Sequence, residues 1–324
     1  MTIRWGILSA ANIAKNFVMP AIEDAGGEIL AIASRSQDLT EIQKKFQIPY
    51  TLNDYEQLLE MDEIDAVYIA LPNSLHFKWI VKAIEYGKHV LCEKPIVLSL
   101  EELQTIQQKS IEKEVKVMEA FMYRFHPQIL ETKKLLEEGA IGEVLTIRSQ
   151  FHFTLENWTD DIRVNPNLGG GALYDIGCYC INVQQFLLGK KIVTYHVQQG
   201  RKSNVDVHLT IQVQYEDGIL GLIDCSFLGE LSQSVDLIGT AGSLRLPFAF
   251  RTDLNQDFGV IQLVQNGQLS SQHIEGNAYK NQIEHFHQSI EHRKFQPYPF
   301  DSMLEQVAIL EEFQTTLKKE GVIG

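Results

Sequence analysis

Over the first third of the chain, short apolar runs alternate with stretches of helical periodicity. The runs cover residues 3–8, 29–33, 66–70, 89–92 and 115–118, and the helical patterns between them cover residues 14–24, 38–46, 55–59, 77–85 and 100–110. Continuous apolar strands separated by helices predict a parallel sheet covered on both faces. Right-handed crossovers then give a doubly wound α/β fold, with ligands at the carboxyl ends of the strands. After about residue 120 the rhythm changes. A helix over 128–138 leads into a long strand over 144–153, and a loop and one glycine-led helix follow. Beyond them, "DVHLTIQVQYEDGILGLIDCSF" alternates apolar and polar residues on either side of Asp217-Gly218, and "SVDLIGTAGSLRL" does so around Ala241-Gly242. Both predict hairpins of a largely antiparallel sheet with one face buried. Helices over 281–292 and 303–319 close the chain.

Composition narrows the function classes. A length of 324 residues suits two domains, at about 150 residues each. Apolar residues at 44% and charged residues at 22% are ordinary for a globular protein. The net charge of −14 argues against nucleic acid and anionic membranes as partners. No stretch approaches the ~20 apolar residues of a membrane span, and the first residues lack the basic and apolar regions of a signal peptide. The four cysteines, Cys92, Cys178, Cys180 and Cys225, form no C-x-x-C pair and read as reduced thiols, so a cytoplasmic protein is expected.

The first strand-turn-helix, "GILSAANIAK", stands where a dinucleotide loop would run Gly-x-Gly-x-x-Gly/Ala, but those three positions hold Ser9, Ala11 and Ala14. The residues alone leave two readings open. The turn could still bind a pyrophosphate, through the Ser9 hydroxyl and the free N–H groups of the helix from Asn12 onward, or it could be an ordinary βα turn. At the end of the second strand, "AIASRSQ" puts Ser34-Arg35-Ser36 where an acidic residue would bond the adenosine ribose of NAD. A guanidinium there can bind a 2′-phosphate bidentately, which favours NADP with NAD possible. The alternative is a solvated loop arginine.

Four further stretches carry a specific resemblance: "ALPNSLH", "HVLCEKP", "MEAFMYRFHP" and "GGGALYDIGCYCIN". In this order and spacing the chain resembles the Gfo/Idh/MocA family of NAD(P)-dependent oxidoreductases along essentially its whole length. "WGILSAANIA" and Tyr179 are similar to the branch that holds dihydrodiol dehydrogenase and glucose–fructose oxidoreductase, which often tolerates a depleted glycine loop. The resemblance implies a Rossmann domain over residues 1–120 and a C-terminal α+β domain over 121–324 with a large, mostly antiparallel open sheet for substrate binding and oligomerisation. It implies that the first loop is a phosphate site, with Ser9, Ala11, Asn12, Ile13, Ser34, Arg35, Leu71, Pro72, Asn73, His76, Glu93 and Lys94 at the cofactor. Lys94 matches the catalytic lysine of the Glu-Lys-Pro motif, and Tyr179 would give or take the proton at the reacting oxygen, its pKa lowered by Lys94. Asp175 would orient Lys94 or the substrate. Glu93 would contact the ribose or fix the loop. Arg124, His126, Arg163 and Asn165 would line the substrate pocket.

Each of these residues also has a plainer reading. Lys94 follows the strand at 89–92 at the end where doubly wound sheets hold ligands, yet an isolated loop lysine is usually solvated. Asp175 and Tyr179 are four apart on the helix after Gly169-Gly170-Gly171, so they share a face. That face lies roughly 100° from the centre of the stripe Leu173, Ile176, Cys180, Val183 and Leu187. A buried tyrosine with a satisfied hydroxyl is the alternative for Tyr179, and a partly buried polar residue is the alternative for His76. For Arg124, His126, Arg163 and Asn165 a structural role is as plausible as substrate contact. "EHFHQSIEH" carries three histidines without the spacing of a metal site, and no metal is expected. The resulting expectation is an NADP-dependent enzyme moving a hydride between nicotinamide and a CH–OH carbon of a sugar or cyclic diol, as a homodimer or homotetramer. The alternatives are a hydrolase or epimerase that oxidises transiently with tightly held cofactor, and a non-catalytic NADP-binding regulator.

Overall fold

The structure is a computed structural model that describes residues 2–202, 204–292 and 298–320. It divides into two compact units. The first comprises Met1–Phe121 together with Tyr279–Ala308, and the second comprises Met122–Ala278 and Ile309–Gly324. A single division at residue 120 therefore omits one return of the chain, since Tyr279–Ala308 belongs to the first unit.

The first unit is built on six parallel strands: β1 (Arg4–Leu8), β2 (Glu28–Ala33), β3 (Tyr50–Leu52), β4 (Ala66–Ile69), β5 (His89–Cys92) and β6 (Val117–Glu119). Their order, β3-β2-β1-β4-β5-β6, is the doubly wound order whose direction reverses between β1 and β4, the place where such sheets bind ligands. Strand β4 is buried throughout and β1 nearly so, which accounts for their unbroken apolar runs. The three-residue edge strand β3 is mostly exposed, so it carries no apolar run to reveal it. In the returning segment, the helix Ala278–Glu291 is tied to the sheet at His287, whose Nε2 accepts the indole N–H of Trp5 at 3.0 Å. Tyr279 stacks on Phe17 with ring centroids 5.0 Å apart.

The second unit is built on eight strands: β7 (Val144–Thr154), β8 (Ile192–Lys202), β9 (Val205–Tyr215), β10 (Leu220–Ser226), β11 (Leu228–Gly239), β12 (Gly242–Leu246), β13 (Phe258–Gln265) and β14 (Gln268–Glu275). The order is β14-β13-β12-β11-β7-β10-β9-β8, antiparallel except for the parallel pair β7 and β10. The β9–β10 hairpin turns through Asp217 and Gly218, both at positive φ, as the Asp-Gly signal requires. A helix spanning residues 172–188 packs on one face. Ser149 Oγ of β7 donates to Cys180 O, Gln184 Nε2 donates to Ser149 Oγ and Leu222 O, and Tyr215 OH donates to Gln184 Oε1. The opposite face presents Arg148, Gln150, His208 and Gln212, all at least partly exposed.

Candidate active site

In the first unit the expected cofactor residues gather at the carboxyl ends of the strands. Ser9 leaves β1 with φ +92°, a backbone conformation that glycine adopts freely and other residues rarely do. Its N–H donates to Ala33 O at 2.9 Å. The fingerprint glycine is thus gone while its conformation is retained. A helix then starts at Asn12 and runs to Asp24, with a π turn over Ala14–Val18. At the end of β2, Ser34 Oγ accepts Gln37 N–H at 3.2 Å and so closes the turn. Arg35 is exposed, and its guanidinium lies 5.0 Å from the centroid of the Tyr55 ring. No carboxylate stands in Ser34-Arg35-Ser36. These features fit a dinucleotide: free helix N–H groups for its phosphates, a glycine-like turn, and a cation rather than an anion at the ribose end.

The ends of β4 and β5 are tied together by a residue that sequence reasoning placed against the cofactor. His76 is fully buried. Its Nε2 lies 2.8 Å from Leu71 O and its Nδ1 lies 2.9 Å from Pro95 O. The ring therefore faces the main chain of both loops and fixes their spacing. Burial lowers its pKa, and the Lys94 charge lowers it further.

Around Lys94 the chain is fixed on both sides. Glu93 N–H extends the sheet to Ile69 O at 2.9 Å. Glu93 Oε1 accepts the phenol of Tyr68 at 2.6 Å, and Oε2 accepts Lys94 N–H at 3.4 Å. Burial, reinforced by the Glu93 carboxylate, pushes the Tyr68 phenol well above its ordinary value, which keeps it a donor. The Lys94–Pro95 peptide is cis. Beyond it, Ile96 N–H donates to Glu119 Oε1 at 2.9 Å, while Tyr298 OH donates to Oε2 at 3.2 Å. Sequence reasoning missed Glu119 and Tyr68. The available signal for Glu119 was a lone carboxylate ending an apolar strand.

In the second unit, Asp175 and Tyr179 lie on the helix after the triple glycine, but their surroundings differ. Residues Leu173–Gly177 form a π turn before regular helix resumes at Cys178. Asp175 Oδ2 accepts Arg163 Nε at 2.8 Å, and Arg163 Nη1 also reaches Asp161 Oδ2 at 3.1 Å. The Asp175 charge, outweighing burial, raises the Arg163 guanidinium above its ordinary value. Tyr179 is only 7% exposed. Its ring lies 5.6–5.8 Å from those of Tyr123, Phe151 and Phe250, and its hydroxyl lies 3.6 Å from Met122 Sδ. The helical wheel puts Tyr179 off the apolar stripe. The structure nevertheless encloses it, because this helix is buried nearly all round.

Two of the residues expected at the substrate, Arg124 and His126, have protein partners. Arg124 is buried, with Nη1 donating to Asn182 Oδ1 at 3.3 Å and its guanidinium 4.3 Å from the Phe186 centroid. His126 is fully buried and caps the helix Pro127–Glu137: Nδ1 accepts Gln128 N–H at 3.1 Å, and Nε2 faces Asp257 O at 3.2 Å. Arg163 and Asn165 lie on the loop before the triple glycine. Asn165 is exposed and, with Trp158, Asp160, Asp161 and Val164, lines an open cavity of about 420 Å³.

Comparison with known proteins gives this arrangement its context. A family model described as the oxidoreductase family with an NAD-binding Rossmann fold matches residues 3–121, and the model of the GFO/IDH/MocA C-terminal domain matches residues 129–245. The chain belongs to the Gfo/Idh/MocA family. Among relatives of this family, D-xylose 1-dehydrogenase (NADP(+)) 2 of Haloferax volcanii is 33% identical over 289 residues, 89% of each chain. Trans-1,2-dihydrobenzene-1,2-diol dehydrogenase of Danio rerio is 32% identical over 260 residues, 76% of this chain and 75% of the relative. A crystal structure of the 3-ketoreductase KijD10 of Actinomadura kijaniata, in complex with NADP and TDP-benzene, superposes with a TM-score of 0.88 at 27% identity over 96% of each chain. The N-terminal unit is thus the NAD-binding Rossmann domain of a Gfo/Idh/MocA oxidoreductase, and the protein is an enzyme of the dehydrogenase/reductase class.

Proposed function

We propose that this enzyme uses NADP to oxidise a CH–OH carbon of a sugar or cyclic diol, or to reduce the corresponding ketone. The observation that carries the cofactor choice is the end of β2, where an exposed Arg35 guanidinium lies over Tyr55 and Ser34-Arg35-Ser36 contains no carboxylate. Such a group attracts a 2′-phosphate that an acidic residue would repel. The relatives named for D-xylose and for a benzene dihydrodiol support the substrate class.

When bound, the nicotinamide supplies the hydride acceptor or donor. Ser9 and the N–H groups from Asn12 onward would hold its phosphates, and Leu71, Pro72 and Asn73, on the loop that His76 fixes, would contact the cofactor. Lys94 polarises the reacting oxygen and stabilises alkoxide character on it. Tyr179 takes the proton of the substrate hydroxyl during oxidation and returns it during reduction. Asp175, held by Arg163, orients the polar groups around that oxygen. We place the enzyme in the cytosol, in keeping with four buried cysteines that form no disulfide, and as a homodimer or homotetramer formed through the open face of the eight-stranded sheet.

Fluorescence titration tests the cofactor choice. NADPH is expected to bind at least about tenfold more tightly than NADH, and equal or weaker binding of NADPH overturns the Arg35 argument. A panel of aldoses and cyclic diols with NADP then identifies the substrate by the rise of reduced-nicotinamide absorbance.

A further inference from the structure

Gly169-Gly170-Gly171 enters the helix of residues 172–188 through a narrow passage. Gly171 has φ +119°, and a Cβ placed there would run into Asp206 Oδ1. A Cβ at Gly170 would press on the carbonyl of Arg163. The main chain is pinned on that side as well, with Gly171 N–H donating to Arg163 O at 2.8 Å and Gly170 N–H donating to Asn165 O at 3.0 Å. On the other side stands Asp206 of β9, 4% exposed, whose Oδ2 accepts the N–H of Leu173 at 2.6 Å. It supplies from a distant strand the capping carboxylate that the helix lacks, since neither Gly171 before the helix nor Ala172 at its start carries a polar side chain. Burial raises the Asp206 carboxyl, while the N–H groups of Leu173 and Ala172 pull it down. In the alternation of β9 it shares parity with His208 and Thr210 on the polar face, so the sequence gives no reason to expect it under a helix.

We infer that Asp206 is a positioning residue of the site: through the Leu173 N–H and the Gly171 turn it sets where the helix begins, and thereby where Asp175 and Tyr179 stand. The inference rests on the reading of Tyr179 as the group that moves the substrate proton. Asp175 lies in the first turn after the anchor, with its N–H on Gly171 O at 3.1 Å, and Tyr179 follows four residues later. An ordinary N-terminal cap could be lost with only a fraying of the first turn. Here the first turn is itself a π turn carrying a site residue, and such turns recur at functional sites.

The experiment places Asp206→Asn, which keeps one acceptor oxygen but loses the charge, in the wild-type and Tyr179→Phe backgrounds. Asp206→Ser, which retains a shorter capping oxygen, is the second variant, and all are assayed below their own melting midpoints. In the wild-type background kcat is expected to fall about ten- to a hundredfold, with the NADPH dissociation constant unchanged within about twofold. In the Tyr179→Phe background the same substitution is expected to have little further effect, because a misplaced Tyr179 costs nothing once its hydroxyl is gone. An equal fold loss in both backgrounds, or an unchanged kcat in the wild-type background, overturns the inference. A Tyr179→Phe enzyme with normal kcat instead removes the reading of Tyr179, and the inference falls with it.

Discussion

Lys94 owes its setting to neighbours that do no chemistry themselves. Glu93 is held by Tyr68, Pro95 O faces His76, and Ile96 N–H is held by Glu119. A lysine on so fixed a loop is suited to stabilising charge that develops on one oxygen, because little reorganisation is needed when that charge appears. Lys94→Ala is accordingly expected to lower kcat by about a hundredfold or more and to leave NADPH affinity within about threefold. Steady-state kinetics together with a binding titration separate the two effects. Arg35→Ala is expected to weaken NADPH by about tenfold or more, since a charged hydrogen bond contributes roughly 1.5–3 kcal/mol, and to leave NADH binding alone. Ser9 offers a test of backbone strain. Its φ of +92° costs a non-glycine residue on the order of 1–3 kcal/mol, partly offset by the greater entropy glycine loses on folding. Ser9→Gly is therefore expected to raise the melting midpoint by about 1–3 °C, and a lowered midpoint contradicts the strain argument.

At the scale of elements, three histidines, two buried and one half-buried, link the packing to pH. His76, His126 and His287 all have pKa values lowered by burial. In the unfolded chain each titrates near its ordinary value of about 6.5, so the unfolded state takes up protons before the folded one does. Stability is then fully present above that value and is lost as pH falls below it towards the lowered folded values. Urea unfolding is expected to give a smaller free energy at about pH 5.5 than at about pH 7.5. His287 should respond most locally, because Nε2 accepts from Trp5 only while the ring is neutral. His287→Gln is expected to flatten part of the slope, and a profile identical to wild type contradicts that assignment. The same elements show what the sequence carries and what it withholds. Strands such as β1 and β4 are legible because both sheet faces are covered and nearly every position is apolar. The edge strand β3 has too few buried residues to leave a pattern. The helices near residues 281–292 and 303–319 reveal an apolar face but not the surface it covers, so the return of Tyr279–Ala308 to the first unit stays hidden. Arg124 and His126 look like ligand groups by type, and only the structure reveals the packing of Asn182, Phe186 and Asp257 around them. Asp206 has the opposite history: its alternation marks it as a surface residue, and a turn folded over it makes it an anchor.

At the scale of the whole molecule, the eight-stranded sheet has one face under a helix and one face of mixed polar residues. Leu220 and Ile238 flank Thr146 in one cross-strand row of that open face, 55% and 41% exposed. If the face joins subunits, light scattering is expected to give a mass of at least two chains, and Leu220→Lys with Ile238→Lys is expected to shift the enzyme towards single chains. A monomeric wild type contradicts the proposal. A net charge of −14 also means that the cofactor phosphates must be drawn by local features, the helix start at Asn12 and the Arg35 guanidinium, against the field of the molecule as a whole. Catalysis by the full chain remains the strictest test of these local readings taken together. The most direct measurement is NADP reduction by the aldose and cyclic diol panel, followed in parallel for the wild type and Tyr179→Phe. The account predicts steady formation of reduced nicotinamide with at least one substrate, and a kcat at least about a hundredfold lower in the variant. Equal rates in the two enzymes, or turnover with NAD but none with NADP, would contradict it.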